Sequence, residues 1–395
     1  MTTGMPLSTD ADTAALWEVF LHRYGSRRSG AADALRAVIA ADPGLAVARA
    51  AAALLAAFAG ESFDVEGEIA AARRGTKAHD WERSLVEATM TLTSQGMWPS
   101  QPSWERHHDR FPGDLLGLEL VIFLTLMSTD PGAREAALER GLRTEEVVGE
   151  HPTLLGFRGM MAQDMGDLDE AHRLASRALE LDPAGFSGGH PMTHVYFEGG
   201  DHAAGADWLD GWLPTTDQEA DFGSHLVWHS ALHHLALGHQ DTAIERYRHC
   251  ARRSGPGGLV DGTSMLWRCQ MHGLVPSGAD PAEVRVSEVV APLVAGVPFT
   301  FVGVHVALGL ASYVEGDHAA ASDRLLARER DVVRFGGSHA QREVVEDTLI
   351  QALIRAGRLA EASTRLEARL DRRESPLDAA LLGRAHGSGE AVTPG

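Results

Sequence analysis

Gly166-Asp-Leu-Asp-Glu-Ala-His-Arg-Leu-Ala-Ser-Arg-Ala-Leu-Glu-Leu-Asp-Pro183 decides the fold. Gly166 supplies a turn, Ala171 and Ala178 leave room for a neighbouring helix to approach, and Pro183 stops the helix. The segment reads as the second helix of a helix-turn-helix repeat. The same grammar returns at Gly200-Asp201, Gly238-His-Gln-Asp-Thr-Ala243, Gly316-Asp317 and Gly357-Arg-Leu-Ala-Glu-Ala362, with glycines 34, 38, 78 and 41 residues apart. A helix pair of this kind takes about 34 residues, so the long interval holds two pairs.

Upstream, Ala31 to Pro43 and Ser103 to Pro112 also read as second helices ending at a proline. Apolar helices follow each, near Ala46 to Phe58 and Leu115 to Met127. Alternating β-branched runs are almost absent. The expected fold is all-α, a superhelical α-solenoid of tetratricopeptide-like helix pairs with a concave surface. One continuous repeat domain is expected over 12–387, between a flexible N-terminus at 1–11 and a flexible tail at 388–395.

Composition narrows the function. Among 395 residues, 35 Lys plus Arg face 55 Asp plus Glu, a net charge of −20 that repels nucleic-acid phosphates and anionic lipid. No nucleic-acid or membrane partner is expected. Two cysteines, Cys250 and Cys269, are too few for a disulfide framework. No apolar stretch reaches the roughly 20 residues that span a bilayer, and the first residues lack an export signal. A cytoplasmic location is expected. The helix around Ala50 to Phe58, apolar nearly all round, leaves room for a homo-oligomer.

Histidine is the unusual feature, with 20 in the chain and eight between His190 and His239. His190 and His194 are four apart at the start of an expected helix, with Pro191 suited to its first turn. His225 and His229 are four apart on the next first-position helix, and His233 continues that stripe. Side chains at i and i+4 share a helix face, so two such pairs on neighbouring helices could hold zinc, iron or another divalent ion. The H-E-x-x-H pattern of a metalloprotease is missing from both pairs. The bland alternative is neutral packing histidines, with His202 and His239 in solvated turns and one of His233 and His234 at the surface. Met160, Met161 and Met165 are expected to fill gaps between helices. Gly336-Gly337-Ser338 reads as a tight turn with Ser338 capping the next helix.

From about residue 15 to 387 the chain resembles the tetratricopeptide repeat protein 38 family. The resemblance rests on His190-Pro-Met-Thr-His194-Val, His225-Leu-Val-Trp228-His229, Val260-Asp261-Gly-Thr-Ser264-Met-Leu-Trp-Arg268, His305 and Gly336-Gly337-Ser338-His339-Ala340-Gln341-Arg342. Thr193, Ser224 and Ser230 depart from the family pattern. The resemblance implies an irregular α-solenoid and a shared polar residue set, but no activity.

On that set, His194, His229, Asp261 and His305 are the candidate catalytic residues. Trp228, Ser264, Arg268, Ser338, Gln341 and Arg342 are candidates for binding substrate, and His190, His194, His225 and His229 for binding metal. The expected function is to bind, and chemically transform, a small molecule in a His-rich pocket on the concave side, by metal-assisted or histidine acid–base chemistry. The arginines would clamp a carboxylate or phosphate. Two alternatives stand beside it: a buried network in which Asp261 and the arginines satisfy one another, and a non-catalytic scaffold binding a peptide or partner protein in its groove.

Overall fold

A computed structural model describes residues 5–59, 61–75, 77–126, 132–218, 220, 222–252, 256–274, 301–335 and 338–386. Among them are twenty α-helices and two short 3₁₀ turns, and no strand. The chain divides into two compact units, Met1–Met192 with Glu219–Asp221, and Thr193–Gln218 with Phe222–Gly395.

The first unit holds α1 (Ala11–Gly25), α2 (Ala31–Ala41), α3 (Ala46–Ala59), α4 (Val65–Ala72), α5 (Asp80–Gln95), α6 (Met97–Arg110), α7 (Leu115–Leu126), α8 (Ala133–Val148), α9 (Pro152–Asp164) and α10 (Leu168–Leu181). Consecutive helices pack as pairs, α1 on α2, α3 on α4, α5 on α6 and α9 on α10. In α10 the expected grammar is visible atom by atom. Gly166 takes a φ of 84°, which favours glycine, and the Asp167 carboxylate accepts from the Glu170 amide at 3.1 Å as the helix cap. Ala171, Leu174, Ala175 and Ala178 form the buried stripe.

The apolar helix α3 lies inside this unit's core against α2, α4 and α5, which accounts for its all-round apolar character. Residues preceding α1 run along α5, where the Trp81 indole donates to the Pro6 carbonyl at 2.7 Å. A hydrogen-bonded chain ties α5, α6 and α7 together. His107 Nε2 donates to Asp114 at 2.9 Å, and Ser84 donates to His107 Nδ1 at 2.9 Å. Asp114 also accepts from the amides of Leu116 and Gly117 and so caps α7.

Helix α11 (Phe186–Glu198) carries the division between the units, which falls after Met192. Pro191 stands inside α11, not in its first turn as expected, because the helix begins five residues earlier at Phe186. It cannot donate to the Ser187 carbonyl. Gly156 on α9 passes so near that a Cβ there would lie 2.0 Å from that oxygen. Met165 is 58% exposed rather than filling a gap, since it ends α9 at the turn.

The second unit continues with α12 (His202–Trp212), α13 (Gly223–Ala236), α14 (Gln240–Arg252), α15 (Pro256–Met271), α16 (Phe301–Val314), α17 (His318–Leu326), α18 (His339–Arg355), α19 (Leu359–Arg372) and α20 (Pro376–Ala385). Here too neighbours pair, α13 on α14, α16 on α17 and α19 on α20. Asp201 and Asp317 cap α12 and α17 as Asp167 caps α10. The long glycine interval is divided at Gly273, whose φ is 71°.

Candidate functional site

Helices α11 and α13 place the histidines. His190 and His194 lie one turn apart on α11, His190 in the first unit and His194 in the second together with His229 of α13. His194 and His229 are fully buried, with ring centroids 4.5 Å apart in an edge-to-face arrangement. His190 is half-buried, stacked on Phe186 at 4.8 Å. Burial, reinforced by His225, His339 and His233, pushes the His194 imidazole down to about 3. At neutral pH it is uncharged and keeps a nitrogen lone pair.

His225 lies one turn before His229 on α13. Its Nδ1 donates to Asp261, 3.1 Å from both carboxylate oxygens, and its ring stacks on Trp228 at 5.3 Å with 15° between planes. Its centroid is 4.8 Å from that of His229, so the His225–Asp261 pair stands beside His229 and the His194 ring packed on it. Trp228 is fully buried and carries the Arg268 guanidinium over its ring at 5.8 Å.

The structure occupies most candidate substrate-binding residues with internal partners. Arg268 donates to Asp347 at 3.1 Å, to the Ala340 carbonyl at 3.0 Å and to the Ser264 hydroxyl. Ser338 caps α18, as expected, in a reciprocal box with Gln341, whose side-chain oxygen accepts from the Ser338 amide at 2.9 Å. Arg342 is half-buried, and its amide closes the first turn of α18 on the Ser338 carbonyl. His305 falls on α16, but its side chain lies outside the described residues, as do Gly336 and Gly337.

Several residues of the sites were not singled out by the sequence. Glu198, one turn beyond His194 on α11, accepts from His339 Nδ1 at 3.0 Å and raises that histidine above its ordinary value. His202 is buried, not in a solvated turn: Phe197 packs on it, and its Nδ1 sits 3.2 Å from Nδ1 of the buried His233. Burial holds His202 at about 4 and His233 at about 3. His233 and His234 are both buried, against the expectation that one would be exposed, because His234 turns to Asp210 at 3.0 Å.

Beyond them lies a buried ionic network. Glu343 pairs with Arg373 and, at 3.3 Å, with Arg369, while Arg369 also reaches Asp347 at 2.7 Å and Asp378 at 3.2 Å. Burial alone would raise the Glu343 carboxyl, but Arg369 and Arg373 outweigh it and hold the group well below the usual carboxylate range. Burial pushes the Cys250 thiol up and Cys269 to about 12, so neither is a ready nucleophile.

Fold and site together define a protein of consecutively packed, tetratricopeptide-like helix pairs with buried histidines on α11 and α13. No family model matches the chain. Among solved structures, 96% of the chain aligns with a chain of the Naa15/Naa10 complex bound to HypK-THB, at 12% identity and a TM-score of 0.25. It aligns over the same share with the P58(IPK) TPR domain, at 15% identity and a TM-score of 0.23, covering 98% of that domain. The chain spans 61% of the length of the matched chain in the Naa15/Naa10 complex. Both likenesses are distant, and the paired-helix architecture rests on the contacts described above. Among the described residues no helix is long and apolar enough to cross a membrane.

Proposed function

We propose that His194, His225 and His229 form a divalent-metal centre through which the protein binds and chemically transforms a small molecule. The observation that carries this reading is the packing of three buried imidazoles in the second unit, with ring centroids 4.5 Å apart for His194 and His229 and 4.8 Å apart for His225 and His229. Tetrahedral coordination with metal–nitrogen bonds near 2.0–2.1 Å needs nitrogens about 3.3 Å apart, a closure that ring rotation can supply. The neutral state of His194 supports it, because no proton has to leave before the lone pair binds. Three imidazoles suit zinc or iron and leave a coordination position for water or substrate. Asp261, which accepts from His225 Nδ1, would orient that imidazole with its Nε2 toward the ion. The motif set shared with the tetratricopeptide repeat protein 38 family is compatible with this reading, since His190, His194, His225, His229 and Asp261 all belong to it.

Elemental mass spectrometry on untagged protein, supplied with zinc or ferrous iron, tests the proposal. About one ion per chain is expected, with loss in His194→Ala and His229→Ala while circular dichroism stays unchanged. Cobalt substitution should give the visible bands of a four- or five-coordinate nitrogen site. Failure to retain any of the three metals in folded wild-type protein would sink the metal centre. The histidines would then be acid–base or packing groups, and the scaffold reading would gain.

A further inference from the structure

The second unit contains a cavity of about 50 Å³ between α12, α13, α15, α18, α19 and α20. His194, His225 and His229 are not among its lining residues. A water needs roughly 10–15 Å³ on this measure, so the space takes about four non-hydrogen atoms. Its walls are charged. Arg268, Arg369 and Arg373 line it together with Glu343, Asp347 and Asp378.

Hydrogen-bond accounting shows what these walls lack. Nε2 of Gln351, Nε2 of His202 and Nε of Arg369 are buried, lie in wall residues, and have no hydrogen-bond partner among the described residues. All three residues are more than nine-tenths buried. The matching unsatisfied acceptor is Oδ2 of Asp378, which lies 3.2 Å from Arg369 Nε but without hydrogen-bond alignment. Arg373 adds a poorly used donor, since its second terminal nitrogen is 4.0 Å from Glu198. Burial also pushes the Asp378 carboxyl upward, toward its uncharged form. The walls therefore hold three guanidiniums, with unsatisfied donors in excess of unsatisfied acceptors. Buried donors left without acceptors are costly, and a cation or an apolar group would not satisfy them.

We propose that this cavity is a binding site for a small carboxylate, free or as the terminal group of a larger metabolite. One carboxylate oxygen accepts from the Gln351 amide and the other from Arg369 Nε, with His202 donating in its Nε2–H tautomer. The shared Nδ1 contact with His233 permits that tautomer, because His233 can then carry the proton between the two Nδ1 atoms. Acetate, with four non-hydrogen atoms, matches the available volume and serves as the probe.

Saturation-transfer NMR on the acetate methyl group, with thermal unfolding in sodium acetate against sodium chloride at equal ionic strength, tests the assignment at pH 7. Saturable binding with a Kd of roughly millimolar strength is expected for so small a ligand. Gln351→Leu should weaken it about tenfold by removing the amide donors. Gln351→Glu should abolish it by placing a second anion at the site, and circular dichroism checks that each variant is folded. Equal response to acetate and chloride would overturn the proposal, as would no saturable binding or undiminished binding by a folded Gln351→Glu protein. In those cases the cavity holds only ordered water.

Discussion

Acidification from pH 7 to pH 5 is expected to remove much of the stability of the metal-free protein. His194, His202 and His233 are buried in the neutral form and titrate at about 3, 4 and 3 in the folded state. In the unfolded chain each returns to an ordinary value near 6.5. The folded values lie below the unfolded one, so the unfolded state takes up protons first as pH falls. The stabilisation is complete above about 6.5 and is lost between there and the folded values. At pH 5 each histidine favours unfolding by about 2 kcal/mol, nearly independent of the folded value, because the folded imidazoles are still mostly unprotonated. Three of them cost about 5–6 kcal/mol relative to pH 7, comparable to the whole stability of many domains. His339 works in the opposite direction: its folded value is raised by Glu198, so its contribution is present at low pH and lost as pH rises through that value. One such group does not offset three. Urea unfolding followed by circular dichroism at pH 7, 6 and 5, with EDTA present, should show stability falling with pH, and these three histidines contribute about 4 kcal/mol per pH unit of that slope near pH 5. A stability constant to within about 1 kcal/mol across this range would refute the neutral burial of these imidazoles.

Two substitutions test the packing and the ionic network. Gly205→Ala should destabilise despite a helix preference for alanine of about 1 kcal/mol, since clashes of this kind cost about 1–3 kcal/mol. Its Cβ would lie 2.4 Å from Cε1 and 2.7 Å from Nδ1 of the fully buried His233, so an unchanged or higher Tm would contradict the tight fit. Glu343→Gln keeps the side-chain shape but leaves Arg369 and Arg373 short of a buried carboxylate, a loss of about 3–5 kcal/mol in urea unfolding. A loss below about 1 kcal/mol would mean that the two arginines are satisfied without it.

Local chemistry was legible in the sequence and long-range partnership was not. The turns at Gly166, Gly200 and Gly316 declare themselves because a left-handed glycine is followed at once by an aspartate that caps the next helix. Gly273 has the same backbone conformation but is followed by Leu274, so its turn carries no such mark. The i, i+4 histidine pairs were equally readable, because helical spacing alone puts both rings on one face. What each histidine meets depends on residues far along the chain. Asp261 claims His225 from 36 residues away, and Glu198 meets His339 across 141. Arg268 looked free to clamp a substrate until Asp347, 79 residues on, was found against it. His202 looked solvated because it follows a polar turn; Phe197 and His233 bury it.

The neutral histidines and the charged network are linked through electrostatics. Burial is the main force keeping His194, His202 and His233 unprotonated, and positive neighbours add to it. His339, whose proton Glu198 stabilises, disfavours a proton on His194, while Arg373 does the same for His202 and His233. Arg373 can remain charged in this setting because Glu343 pairs with it. The acidic partners thus help to fix positive charges beside the imidazoles. The consequence is a set of nitrogens kept unprotonated at neutral pH, the state from which a metal ion can be bound without displacing a proton.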